Sequence, residues 1–289
     1  MRHGYLLVVN VISMAAAVSI LSACGGSSPD NAGPDNAGTS SSGAGSSNPS
    51  PVSVIYGITN GGGANDIGSG GDGTVFKIAP DGTETVLYSF GGTTGDGKSP
   101  IAGLVQGTDG NFYGVTSAGG SNGYGAVFSV SPAGGEALLY SFVSNYGLSV
   151  RAVSSLVQGG TLIQANDGNF YLTTEAGGTS NNGTVFRITP QGSGSVLYSF
   201  GSSSTDGVDP GPLLQGSDGN LYGTTIVGGT AGVGTLFELS LSGAETVLYS
   251  FGTTNSGLAS PTGLLEGMDG HLYGTADSIF MVSAVIPGK

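Results

Sequence analysis

The chain has 289 residues, of which 9% are charged, with 6 basic side chains against 19 acidic ones and a net charge of −13. That balance leaves no cationic stripe to neutralise phosphates, which argues against a nucleic-acid partner. One cysteine and two histidines exclude an internal disulfide and a His/Cys cluster for a transition metal, so neither cofactor nor metal is expected.

In chain order the first element is Met1-Arg2-His3 followed by the apolar run YLLVVNVISMAAAVSIL and the segment Leu21-Ser22-Ala23-Cys24. The run has the length of a secretory h-region and is too short for a trusted membrane span. Small residues ahead of the sole cysteine resemble a bacterial lipobox. The resemblance implies a signal peptide over 1–23, cleavage before Cys24 and a lipid on that residue, which would hold the protein at the membrane. Gly25 stands where an inner-membrane retention Asp usually lies, which implies an outer-membrane address on the periplasmic or exterior side. Residues 24–51 carry almost no apolar side chains and duplicate PDNAG. Nothing there offsets the entropy of ordering, which predicts a disordered tether with an end-to-end distance of roughly 30 Å.

From 52 to 289 the chain repeats itself with a period of about fifty residues. Each unit offers four short segments rich in β-branched and aromatic residues, here A (LVQG), B (NFYGVT), C (GTVFKI) and D (TVLYSF). The spacing from the A residues Gln106, Gln164, Gln215 and Glu266 to the B tyrosines Tyr113, Tyr171, Tyr222 and Tyr273 is always seven. From the C phenylalanines Phe76, Phe128, Phe186 and Phe237 to the D tyrosines Tyr88, Tyr140, Tyr198 and Tyr249 it is always twelve. B to C runs 20, 15, 15, 15 and 7, and D to the next B runs 25, 31, 24 and 24. Constant spacing predicts tight A–B and C–D hairpins, with Asp-Gly at 109, 167, 218 and 269 as the turn signal. In an up-and-down meander those turns share one face. The B–C and D–A connections, which carry all the length variation, share the other.

Four-stranded units repeated about five times predict an all-β fold, a β-propeller of about five blades. The first unit lacks A and the last lacks D, giving 18 strands rather than 20 and incomplete terminal blades. A parallel β-helix would repeat over shorter lengths, and tandem sandwiches would need longer strands. Tyr88 and Phe90 are expected on one side of their strand, with Leu87 and Ser89 on the other. The long second D–A connection holds two A-like segments; the second keeps the spacing to Tyr171, so Leu156 to Gly159 reads as an extruded duplicate. The motifs GSDGNLYGTT, GTVFKI and ETVLYSFG resemble the GloVer-type tandem repeat family of bacterial secreted proteins, over Tyr56 to Phe280. That resemblance brings no established activity or catalytic residues. The chain departs from the family pattern at Leu172, which replaces Gly, and in the last unit, which lacks Gly-Gly.

Chemistry is sparse. His271 occupies the Asn place of a DGN turn on the tight face and reads as a turn substitute rather than a base. The Gly-rich stretch 61–73, with Asp66 and Asp72, lacks the ligand pattern of an EF-hand and the Lys-Ser/Thr of a nucleotide loop, and reads as a B–C loop. Ligand-binding candidates are therefore the polar and aromatic residues of the variable face: Asp66, Asp96, Tyr124, Tyr146, Arg151, Glu175, Asn181, Asn182, Asp206 and Asp209. These are expected to recognise a glycan or an envelope protein without catalysis. The alternatives are a glycan-degrading hydrolase or lyase that uses carboxylates of the same face, or a passive spacer.

Overall fold

The computed structural model describes residues 53–65, 71–143, 162–252, 261, 263–275 and 279–285, with backbone alone at 102 and 279–285. The expected signal peptide, Cys24, the tether, Asp66, Tyr146, Arg151 and the duplicate at Leu156 to Gly159 lie outside the described residues. Within them the fold is all β, with eighteen strands in five antiparallel sheets, each a meander in chain order.

Sheet one holds β1 (Ile55–Thr59), β2 (Thr74–Ile78) and β3 (Glu84–Ser89). Sheet two holds β4 (Gly97–Gln106), β5 (Phe112–Gly119), β6 (Ala126–Val130) and β7 (Glu136–Ser141). Sheet three holds β8 (Leu162–Gln164), β9 (Phe170–Thr174), β10 (Thr184–Ile188) and β11 (Gly194–Ser199). Sheet four holds β12 (Gly207–Gln215), β13 (Leu221–Gly228), β14 (Thr235–Leu239) and β15 (Glu245–Ser250). Sheet five holds β16 (Gly263–Glu266), β17 (His271–Thr275) and β18 (Ile279–Val285). These are the A, B, C and D segments in order, without A in sheet one and without D in sheet five. The third unit uses the second of its two A-like segments.

Two features depart from the expected strands. β4 and β12 begin at Gly97 and Gly207, well before the LVQG-like segment, and each carries a register shift. The D strand is not a plain alternation either. Val75 pairs with Tyr88 but Phe76 with Val86, so Leu87 is an extra, unpaired residue; Leu139, Leu197 and Leu248 repeat the irregularity. Such a bulge bends the strand and re-aims its side chains. Leu87 and Tyr88 consequently pack against the same cluster rather than opposite ones.

The core is divided into layers between neighbouring sheets. Ile58, Val75 and Phe90 of the first unit meet Leu104, Phe112, Phe128 and Val130 of the second. Equivalent clusters fill the second–third, third–fourth and fourth–fifth junctions. The bulkiest fully buried side chains are Phe and Tyr throughout, so the aromatic repeats are structural. Half-buried Val105, Ile163 and Leu214 each pack onto the next sheet's cluster, whereas Leu265, their counterpart in sheet five, is 58% exposed.

Glycines set the closeness of these layers. A Cβ on Gly57 or Gly114 would lie 2.6 or 2.5 Å from Cζ of Phe76 or Phe128, and Gly223 sits as tightly under Phe237. The third unit has Leu172 there, fully buried and opposite Phe186. Its Phe186 ring lies instead over Gly194, where a Cβ would be 2.7 Å from Cε1. The departure at Leu172 is thus matched by a glycine moved from strand B to strand D.

Candidate functional site

The aspartates of the tight A–B turns are occupied by hydrogen bonds within their own turns. In the second unit Asp109 Oδ1 accepts from the Asn111 N–H at 3.1 Å, while Oδ2 accepts from Asn111 Nδ2 and from the Tyr113 hydroxyl, both at 2.8 Å. Asp167 and Asp218 repeat the arrangement with Asn169 and Tyr171, and with Asn220 and Tyr222. Burial raises the Asp109 and Asp167 carboxyls, but the hydrogen bonds outweigh it and hold both below the usual range. Burial, then the aspartate bond, pushes the Tyr113 and Tyr171 phenols up to about 12. His271 takes the Asn place, with its N–H donating to Asp269 Oδ1 at 3.1 Å and Nδ1 3.2 Å from Oδ2.

These turns also join sheets. Gln164 Oε1 accepts from the Thr108 N–H at 2.8 Å and Gln215 Oε1 from the Asn166 N–H at 2.8 Å. Glu266 accepts from the Ser217 N–H at 2.8 Å and its hydroxyl at 2.6 Å.

The opposite rim has a constant base and variable tips. In the first four units the B–C connection returns to strand C through a threonine hydroxyl: Thr59 with Thr74 at 2.8 Å, Thr174 with Thr184 at 2.8 Å, and Thr225 with Thr235 at 2.9 Å. Thr116 Oγ1 performs this task by accepting from the Ala126 N–H at 3.0 Å. In the first, third and fourth units the glycine just before strand C packs on a proline in or just ahead of the next A strand. A Cβ on Gly73 would be 2.5 Å from Pro100 Cδ and one on Gly234 3.0 Å from Pro261 Cδ, and Gly183 meets Pro210 in the same way.

All three described non-glycine residues with left-handed backbone lie on this rim: Ser99 (φ 53°), Asn181 (φ 56°) and Asp209 (φ 59°). Ser99 and Asp209 are equivalent, each just before its proline, where left-handed backbone is uncommon for a residue with a Cβ. Both are pinned by the preceding unit, the Ser99 N–H donating to Asp72 O at 2.7 Å and the Asp209 N–H to Asn182 O at 3.0 Å. Asp209 is half-buried, its Oδ1 is buried without a hydrogen-bond partner, and desolvation raises its carboxyl. Asn181 Oδ1 accepts from the Gly177 N–H at 3.0 Å, and Asn182 lies against Gly201. Tyr124, 45% exposed, and half-buried Glu175 occupy the same rim. Lys98 pairs with Asp72 at 2.8 Å.

Asp96 and Asp206 sit lower, in the D–A corners, and are only 4% exposed. Asp96 Oδ2 accepts from the Tyr88 hydroxyl at 2.9 Å and the Gly92 N–H at 3.1 Å. Asp206 Oδ2 accepts from the Tyr198 hydroxyl at 3.1 Å and from the N–H and hydroxyl of Ser202 at 2.8 and 3.1 Å. A glutamate from the next sheet joins each tyrosine: Glu136 at Tyr88 and Glu245 at Tyr198. Burial first, then the neighbouring aspartate, pushes both glutamates up to about 7. Sequence reasoning passed over these glutamates; the signal was Asp-Gly in a D–A connection, at 96–97 and 206–207, recurring with Glu at the start of the next D strand. Among the described residues no group of three His, Cys, Asp or Glu side chains could hold a metal ion.

The sequence profile of the Gloeobacter/Verrucomicrobia repeat matches the chain twice, over residues 33–160 and 151–281. No curated protein matches. Among solved structures, virginiamycin B lyase from Staphylococcus aureus is similar at 15% identity with a TM-score of 0.51, over 82% of this chain and 69% of that one. Puromycin hydrolase is similar at 12% identity with a TM-score of 0.50, over 80% of this chain and 34% of that one. The extracellular domain of a hybrid two-component system from B. thetaiotaomicron gives 9% identity and a TM-score of 0.50, over 79% and 25%. At such identities the likeness concerns the fold alone, which is β-propeller-like.

Proposed function

We propose that this chain, which belongs to the Gloeobacter/Verrucomicrobia repeat family, is a propeller of five blades, incomplete at both ends, that binds a glycan or an envelope protein without catalysis. Its ligand surface is the rim of B–C and D–A connections, and a lipid on Cys24 holds it at the outer membrane. One observation carries the reading: all the described left-handed non-glycine residues gather on that rim, and Asp209 there keeps a buried, unpartnered carboxylate oxygen. Strained backbone and unsatisfied acceptors concentrate where a ligand supplies the missing bonds. The A–B turns of the opposite rim, whose aspartates are each bonded within their own turn, support no such role.

A glycan array probed with the purified domain tests the ligand. Binding that falls at least tenfold in Asp209→Asn and in Tyr124→Ala agrees with the reading, and unchanged binding in both overturns it. A second reading, a glycan-degrading hydrolase or lyase, draws support from the raised Asp209 carboxyl. It requires cleavage of a polysaccharide panel that disappears in Asp209→Asn. Incorporation of a labelled lipid precursor that is lost in Cys24→Ala tests the anchor.

A further inference from the structure

The two corners that hold Asp96 and Asp206 share an odd feature of hydrogen-bond arithmetic. A phenol has one proton to give. Tyr198 Oη lies 3.1 Å from Asp206 Oδ2 and 3.4 Å from Glu245 Oε2, so it can donate to only one of them. With Ser202 also donating twice to Asp206 Oδ2, the aspartate is the acceptor of the set. If Glu245 were also ionised, its Oε2 would face a tyrosine lone pair, and its Oε1 is buried without a partner. The first–second junction repeats the shortage. The Tyr88 proton goes to Asp96 Oδ2 at 2.9 Å, while Glu136 Oε1 and Asp96 Oδ1 are buried without partners.

The repeats within the chain supply an internal comparison. Where the D–A connection contains Asp (Asp96, Asp206), the following D strand opens with Glu (Glu136, Glu245). The connection after Tyr140 contains no Asp or Glu, and the next D strand opens with Gly194. At these three junctions the aspartate and glutamate are both present twice and both absent once, as expected of two carboxyls that depend on each other; Glu84, which opens β3, has no preceding D–A connection to compare.

We propose that each of these junctions is closed by one extra proton on its glutamate, so that Glu136 donates to Tyr88 and Tyr88 to Asp96, and Glu245 donates to Tyr198 and Tyr198 to Asp206. The clasp joins two sheets and sits three residues before Ser99 or Asp209. Loss of the proton to solvent leaves two carboxylates facing one hydroxyl and loosens the corner that presents the rim. The groups acting on Glu136 are Asp96 from the D–A connection and Tyr88 from β3; those acting on Glu245 are Asp206 and Tyr198 from the equivalent places. Neither glutamate has a cation among them. Because binding the proton favours the folded state, the clasp is fully closed at low pH and its contribution fades as pH rises through the neutral range. This inference stands whether or not the rim binds a ligand.

Carbon-13 NMR of the full chain with labelled glutamate tests it directly. Two carboxyl resonances titrating near pH 7 are expected, assigned by their loss in Glu136→Gln and Glu245→Gln. Titration of both near the ordinary 4.5 overturns the proposal. Thermal unfolding gives a second readout that does not need the assignment. The wild type loses stability between pH 5 and 8, whereas the double glutamine variant, whose amides donate permanently, loses much less over that interval. An equal loss in both proteins also overturns it.

Discussion

At the scale of single residues, most side chains with chemistry are spent on holding turns and layers. Gly194 shows how tight the accounting is: a Cβ there would meet Tyr140 Cε2 at 2.6 Å and Phe186 Cε1 at 2.7 Å. Gly194→Ala is expected to cost about 1–3 kcal/mol in urea unfolding. Gly263→Ala, whose Cβ would meet no described atom within 4 Å, is expected to change stability by less than about 0.5 kcal/mol. The turn aspartates predict a pH dependence opposite in sign to that of the proton clasps. Asp109 and Asp167 are held below their ordinary 3.8 in the folded protein. Their stabilisation is complete above that value and is lost as pH falls through the lowered one. Asp167→Asn therefore lies below the wild type in thermal midpoint at pH 6, and the gap closes toward pH 2. Sequence alone identified these aspartates as turn residues, because Asp-Gly between β segments has one dominant use. It could not separate Asp209 from Asp96 and Asp206, since all three lie in D–A connections of similar composition. Only the fold shows that two point inward to a tyrosine.

At the scale of elements, the D strand and the C–D turn of the next unit form a joint. The carbonyl of the bulged Leu87 lies over Gly134, where a Cβ would be 2.7 Å from that oxygen, and the Leu197 carbonyl lies over Gly243 in the same way at 2.9 Å. Gly82, the equivalent turn glycine of the first unit, has no described neighbour within 4 Å of a Cβ. All three have positive φ, so alanine costs roughly 1–2 kcal/mol of backbone strain at each. Gly134→Ala and Gly243→Ala should exceed Gly82→Ala by about a further 1 kcal/mol, the part that belongs to the joint. Strand order and hairpin positions were legible because spacing between motifs is a one-dimensional signal. The bulge was not, because two residues facing one is a property of a pair of strands. The early start of β4 and β12 was hidden for the same reason: Gly97 and Gly207 look like loop residues until their partners on β5 and β13 are known.

At the scale of the whole molecule, stability is shared among junctions rather than concentrated in one centre. Each layer contacts its neighbours, so a nearest-neighbour description applies, as in repeat proteins. Ile163→Ala, inside a junction, is expected to cost about 2–3 kcal/mol, and Leu265→Ala, at the equivalent place on sheet five, less than about 1 kcal/mol. Hydrogen exchange should proceed slowest in β5, β9 and β13, which lie mid-sheet, and fastest in sheet five. One more consequence comes from the threonine pairs beneath the B–C connections. They meet in the same way whether the partners are fifteen residues apart, as in Thr59 and Thr74, or ten, as in Thr174 and Thr184. What happens above that fastening is invisible to the sheets below. Foreign peptides spliced between such a pair would leave the framework intact, which makes each unit a socket and the repeated chain a rack that evolution can refit one place at a time.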